Sequence, residues 1–487
     1  MASIGIALGE LTQDSVRALI VAQGLGSTVP RVRVRPTSGA ATAELILQPL
    51  RPGATIAARL EERDVRVYRV RAPVTGEVIL EAEAAGAPTA RSAPIRALPA
   101  QLADVPGGLS AVLATCVYYW PAYLQKFAAT MRGCYGLGVT PTFVFLAGDN
   151  IYLDVPKPSA QRPGDVVDRY LKYFLDSGYM AARAKLPAFS TYDDHEYWND
   201  YPERAIPVSL WLSENEERGF RAAAMQCLEL FQRSINPQPI GNARFAYRVD
   251  IAPLSILVID TRSERDLVDA PRGQLMPEED LLELEAWAAG LTGPGVLVLG
   301  QPLWIEPVMT VGPVAGDHNV SFFKQQYYRV CRALENAPWD ILICSGDVHY
   351  SRLLRIETRS RRALYELVAS PLVSIPSDWA TAKQYLFGGS FEPSLEHELD
   401  DTTKPPYPGW QASYQMGTGN GTVFSLLNFQ PAGAAVSVGV SFVDTREGAA
   451  AKLVPETELG RAALFPAGTP STSCTRVRAL ELGRRVV

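Results

Sequence analysis

The sequence predicts a small all-β domain followed by an α/β domain that carries its reactive groups along one edge of a sheet. Three observations predict this. Short runs rich in Val, Ile, Leu and Ala, broken by Pro and Gly, fill residues 1 to about 100. After about residue 105, apolar strand-like runs alternate with helical stretches. Several of those runs end in Asp, His or Cys, the place where an open α/β sheet presents its site.

Composition sets the outer limits. The chain has 487 residues, 47% of them hydrophobic and 20% charged, enough apolar material for two or three domains with sizeable cores. Its net charge of −6 comes without a long basic run, so non-specific nucleic-acid binding is not expected. No apolar run reaches the roughly 18 residues of a transmembrane helix. The N-terminus lacks a basic region followed by an apolar stretch, so the expected location is cytoplasmic as supplied, or periplasmic or secreted if a leader was removed. Six scattered cysteines form no CxxC and indicate neither a disulfide framework nor a zinc ribbon.

The first 100 residues offer strand-like runs at 15–21, 32–35, 43–47, 54–60, 65–71 and 77–82, with an Ala- and Pro-rich linker at 84–99. The expected boundaries are a β-sandwich over 1–100 and a catalytic domain over 101–487. In the second part, strands are expected at 110–116, 142–149, 188–194, 255–260, 295–301 and 341–347. Helices are expected at 121–137, 163–184, 213–235, 277–291 and 324–336. The helix at Pro277 opens Pro-Glu-Glu-Asp, which suits the positive end of the helix dipole. Residues 374–422 read as an irregular segment that covers a site. Two late strands, 422–428 and 435–442, complete the core.

Four strand ends carry ligand-type residues: Cys116; Asp149 with Tyr152; Asp194 with His195 and, shortly after, Asn199; and Asp347 with His349. Taken singly, each has an ordinary structural explanation, such as an Asp capping a turn or a Cys buried as a small apolar residue. Taken together, two of only four histidines fall inside Asp-rich strand ends. Carboxylates, a thiolate, a phenolate and imidazoles converging at one edge would bind metal ions. Thiolate and phenolate favour ferric iron or zinc; carboxylate and amide oxygens suit calcium, magnesium or manganese.

GDNIYLD, YDDHEYWND and GDVHYS resemble the signatures of the alkaline phosphatase D (PhoD-like) family of calcineurin-like metallophosphoesterases. GELTQDSVRAL, IDTRSER and YELVASPLVS extend the resemblance over nearly the whole chain. It implies a four-layer α/β/β/α catalytic domain behind an N-terminal β-sandwich. It also implies a dinuclear or multinuclear centre, Fe(III) or Zn with a second divalent ion (Ca, Mn, Mg or Zn). By similarity Cys116, Asp149, Tyr152, Asp194, Asp347 and His349 are metal ligands, with Asp149 bridging and Asn199 a further candidate. His195 assists the reacting phosphate and its leaving group.

Gln301 departs from the pattern, standing near where the wider superfamily has a histidine ligand. His318 and His397 read as surface residues. Arg262 is the first candidate for contacting phosphate and Arg352 the second, each equally suited to a structural ion pair. The expected function is metal-dependent hydrolysis of small-molecule phosphomonoesters, phosphodiesters or both. The rival is a metal- or phosphate-binding module of the same fold without turnover.

Overall fold

The computed structural model describes residues 2–38, 43–118, 140–155, 160, 162–202, 214–266, 273–304, 323–349, 351–358, 363–372, 390–391, 411–418, 423–433, 435–444, 452–453 and 478–482. The expected helix at 121–137, His318 and His397 lie outside them.

Two antiparallel sheets form the first part. One has the order β1 (Ser3–Leu11), β2 (Ser15–Gln23), β6 (Val65–Pro73), β5 (Gln48–Pro49). The other runs β4 (Ala43–Leu45), β3 (Arg31–Pro36), β7 (Glu77–Glu83), β8 (Ala90–Arg91), with β9 (Ile95–Arg96) also on β7. Two expectations fail here. The run at 54–60 is not a strand but part of helix α1 (Ala54–Glu62), whose buried residues Ile56 and Leu60 stand four apart, on one helical face. The Ala- and Pro-rich stretch is not a free linker, because β8 and β9 pair with β7 inside it.

Two larger sheets form the second part. The first has the order β12 (Ala188–Thr191), β11 (Phe143–Ala147), β10 (Leu109–Ala114), β21 (Val423–Ala432), β22 (Ala435–Asp444), β23 (Lys452–Leu453), with β24 (Arg478–Leu482) also on β22. The second runs β13 (Tyr247–Ile251), β14 (Leu254–Val258), β15 (Gly295–Val298), β16 (Ile341–Ser345), β18 (Ala363–Val368), β17 (Ser351–Glu357), β20 (Gln411–Thr418), β19 (Ser390–Phe391). The segment 374–422 therefore contributes two strands and is not wholly irregular. β10–β11–β12 and β14–β15–β16–β18 are parallel, so their C-terminal ends share an edge.

Side-chain alternation sets the layers. Ala111, Leu113, Phe143 and Phe145 face inward and share a core with Ile256, Val258, Val296, Val298, Leu342 and Cys344 of the other sheet. The intervening Val112, Ala114, Val144 and Leu146 face helices α2 (Pro163–Phe174), α3 (Ser177–Arg183) and α4 (Glu214–Phe231). Leu257, Leu297, Ile341 and Ile343 face α5 (Glu278–Ala289) and α6 (Lys324–Asn336). The result is helix, sheet, sheet, helix. The expected helix 163–184 is two helices, because Asp176 caps the second with its side chain on Tyr179 N–H at 2.8 Å.

The first part docks on the α2–α4 layer. Ala7, Leu19, Val21, Ile56 and Leu60 share its apolar core. Asp168 of α2 accepts from Arg63 at 2.7 and 3.0 Å and from Arg59 Nε at 3.1 Å. No helix of the described residues is long and apolar enough to cross a membrane.

Candidate metal centre

The loops after β10, β11, β12 and β16 meet at the C-terminal ends of the two sheets. The approach is tight enough to demand glycine. A Cβ on Gly346 would lie 2.2 Å from Thr115 Cγ2, and one on Gly148 would lie 2.7 Å from Asp193 Cβ. Cys116 N–H donates to Gly148 O at 3.3 Å, and Val117 N–H to Asp149 O at 2.8 Å, tying the first two loops. Gly346 N–H donates to Gly300 O at 2.9 Å.

Cys116, Asp149, Asp347 and His349 all have positive φ, between 54° and 67°. Non-glycine residues rarely adopt this left-handed conformation, and it clusters at functional sites. Here it turns each side chain sharply at a strand end.

The donors converge. Cys116, Asp149 and His349 each offer an atom within 4.8 Å of the others; so do Asp149, Asp194 and His195; so do Asp193, Asp194 and Asp347. Asp149 belongs to the first two groups and Asp194 to the last two. Tyr152 OH donates to Asp149 Oδ2 at 3.2 Å, and Cys116 Sγ lies 3.5 Å from the same oxygen. Asp149 Oδ1 accepts from His195 N–H at 3.3 Å. The Tyr152 ring stacks on His195 at 4.1 Å between centroids.

These acids cannot all ionise by themselves. Burial pushes the Cys116 thiol up to about 12, with Ser370 and Thr115 opposing. Burial, then the neighbouring Cys116, raises Asp149 well above the carboxylate range. Burial, then Asp149 and Cys116, raises Tyr152. A dry ring of acids that suppress one another's ionisation fits bound cations, which would hold the donors deprotonated. Tyr152 OH and Cys116 Sγ both approach Asp149 Oδ2, while Asp194 and His195 offer their donors to Asp149 in the second group.

Three residues organise this centre: Glu196 and Asp193, which the sequence places in the strand-end cluster without a role, and Asp154, which it does not single out. Glu196 accepts backbone N–H groups from Asp149 (3.0 Å), Asn150 (2.6 Å), Ile151 (3.1 Å) and Asp193 (2.9 Å), so one carboxylate clamps two loops. Burial pushes it up to about 7, the four donors opposing. Asp154 Oδ1 lies 2.7 Å from His195 Nδ1. Asp193 joins the carboxylate group described above. Glu and Asp lie inside the DHE and NIYLD motifs, but their roles depend on which loops meet.

Several expected residues behave differently. Asn199 is exposed and reaches the site through its backbone, donating N–H to Asp154 Oδ2 at 3.0 Å. Arg262 and Arg352, candidates for phosphate contact or for a structural ion pair, are turned inward with 0% and 1% exposure. Arg262 pairs with Asp193 and donates to Tyr201 O at 2.6 Å. Arg352 pairs with Glu366 at 3.1 Å and with Trp304 O. Both cations are matched by buried carboxylates, which fixes them in the interior. Gln301 is buried and its Oε1 accepts from Arg265.

The model of the PhoD-like phosphatase family matches residues 112–419. No curated protein sequence matches the chain. A solved structure described as PhoD superposes with a TM-score of 0.64 at 18% identity, covering 97% of this chain and 94% of that one. A purple acid phosphatase from yellow lupin (Lupinus luteus) seeds gives 0.49 at 11% identity, covering 91% and 72%.

Proposed function

The chain belongs to the PhoD-like phosphatase family, and from that premise we propose that it is a metal-dependent phosphoesterase acting on small phosphate esters. The observation that carries the reading is Asp149, shared between the Cys116–His349 group and the Asp194–His195 group. A carboxylate placed in this way suits bridging two cations. Tyr152 and Cys116 favour ferric iron or zinc on one side; Asp194 and Asp347 favour calcium, manganese, magnesium or zinc on the other.

Such cations would supply charge neutralisation for the ester and a nucleophile near neutral pH. The protein's own contribution is position. Glu196 fixes the loops that carry Asp149 and Asp193. Asp154 holds His195 by Nδ1, leaving Nε2 to hold a phosphate oxygen or give a proton to the leaving group. Residues 1–100 act as a supporting domain behind the α2–α4 layer, and 101–487 as the catalytic domain.

The test is metal analysis of protein purified without chelator, with hydrolysis of p-nitrophenyl phosphate and its bis ester before and after stripping. Bound iron or zinc plus a second ion, with turnover lost on stripping and restored by metal, is the expected result; the preferred ester assigns monoesterase or diesterase. Metal without turnover on either ester would favour the binding module, a reading to which Gln301, committed to Arg265, lends weight.

A further inference from the structure

Asp193 is fully buried beside Asp194. One carboxylate oxygen from each of Asp193, Asp194 and Asp347 lies within 4.8 Å of the others. A second observation points to a cation here. Asp193 Oδ1 is held by Arg262 Nε, while its Oδ2 is buried with no hydrogen-bond partner among the described residues. Such an oxygen is costly unless a donor or cation reaches it.

Arg262 is anchored as firmly. It is fully buried, with NH1 on Tyr201 O, and a guanidinium does not deprotonate in a protein. It therefore acts as a permanent positive charge beside Asp193, at the edge of the carboxylate group. With a cation holding the three carboxylates deprotonated, they and the one guanidinium leave a net charge of two minus.

We propose that Asp193 is a ligand of a cation shared with Asp194 and Asp347, and that Arg262 is the positioning residue that presents it and matches the group to a divalent rather than a trivalent ion. The inference rests on the phosphoesterase reading only for the use to which that cation is put.

The experiment uses the full chain, stripped and then dialysed against equimolar Ca2+ and Tb3+, with retained ions counted by mass spectrometry and Tb3+ luminescence. Arg262→Gln leaves three uncompensated carboxylates and raises the retained Tb3+:Ca2+ ratio by about tenfold or more. Adding Asp193→Asn restores two minus and returns the ratio towards wild type. Asp193→Asn alone leaves one minus, so its ratio falls below that of the double variant. An unchanged ratio in Arg262→Gln overturns the proposal. If that variant does not fold, equal ratios in Asp193→Asn and the double variant overturn it. Wild-type turnover of p-nitrophenyl phosphate and of its bis ester is measured alongside. Ions bound with shifting ratios but no turnover sink the phosphoesterase reading alone; turnover with fixed ratios sinks this inference alone.

Discussion

Asp154 Oδ1 lies 2.7 Å from Nδ1 of His195, and Asp154 Oδ2 accepts the Asn199 N–H at 3.0 Å. One carboxylate thus fixes both the imidazole and the turn that follows it. Burial works against charge on His195, yet the fields of Asp154, Asp194 and Asp149 raise it well above the usual imidazole value. Replacing Asp154 by Asn keeps the shape and removes one of those fields. Turnover is expected to fall about 10- to 100-fold, more in kcat than in KM. Steady-state kinetics on the better p-nitrophenyl ester check this, and an unchanged kcat would refute it.

Glu196→Gln should act on stability first. An amide offers one acceptor oxygen to N–H groups that now share two. Leaving buried donors unmatched costs about 1–3 kcal/mol each, so urea unfolding should show a loss of roughly 2–4 kcal/mol. Metal content should fall with it, because the Asp149 and Asp193 loops are no longer clamped.

At Gly346 the sheets leave no room for a methyl group. Its Cβ would sit 2.2 Å from Thr115 Cγ2, so Gly346→Ala must push two strand ends apart. Overpacking of this kind costs about 1–3 kcal/mol. Thr115 and Gly346 each lie next to a donor, Cys116 and Asp347. The expected signature is therefore a lower Tm together with weaker metal retention, measured by thermal unfolding and metal analysis.

Cys116→Ser exchanges a soft donor for a hard, neutral one. The ion held beside Tyr152 should be lost in preference to the ion held by carboxylates. Metal analysis after dialysis should show the iron or zinc fraction falling while the harder ion stays. Equal loss of both would mean that the thiolate is not the discriminating ligand.

The Asp168 bridge predicts a pH effect away from the centre. Burial raises its pKa, but hydrogen bonds from Arg59 and Arg63 outweigh that and hold it below the usual carboxylate value. A carboxylate depressed in the folded state stabilises above its unfolded pKa, and the contribution fades as pH falls through the folded value. Asp168→Asn should thus lower Tm modestly at pH 7, by the effect of about 1 kcal/mol expected of a partly exposed bridge. The gap from wild type should close below about pH 4.

Much of the architecture was legible because buried parallel strands are near-continuous apolar runs. Val144–Leu146 and Leu342–Cys344 could hardly be anything else, and the helix 324–336 was found with its observed bounds. Strands whose faces differ were harder. Tyr247–Ile251 alternates buried and exposed residues with Arg248 and Asp250 outward, and it was missed. The run 54–60 was misread because a short apolar stretch has no clear period; only docking of Ile56 and Leu60 selects the helix. In the site, motif positions were visible as donors at strand ends. Asp193 and Glu196 were visible there without a role and Asp154 was not singled out, because their significance lies in what other loops bring to them. Arg262 was found with phosphate contact and a structural ion pair equally open, since nothing in IDTRSER shows that Asp193 waits inside.

β10 ends at Ala114, directly before Thr115 and Cys116, and it pairs with β21, Leu109 opposite Phe429. About 300 residues of chain separate the two partners. At synthesis rates of about 5–20 residues per second, the flank of β10 stays open for roughly 15–60 s on the ribosome. Throughout that interval Cys116 is a bare thiol beside an unpaired strand. The chain is then most exposed to oxidation, to capture of the wrong metal and to pairing with a neighbouring nascent copy, and its yield should depend on how long translation holds it there.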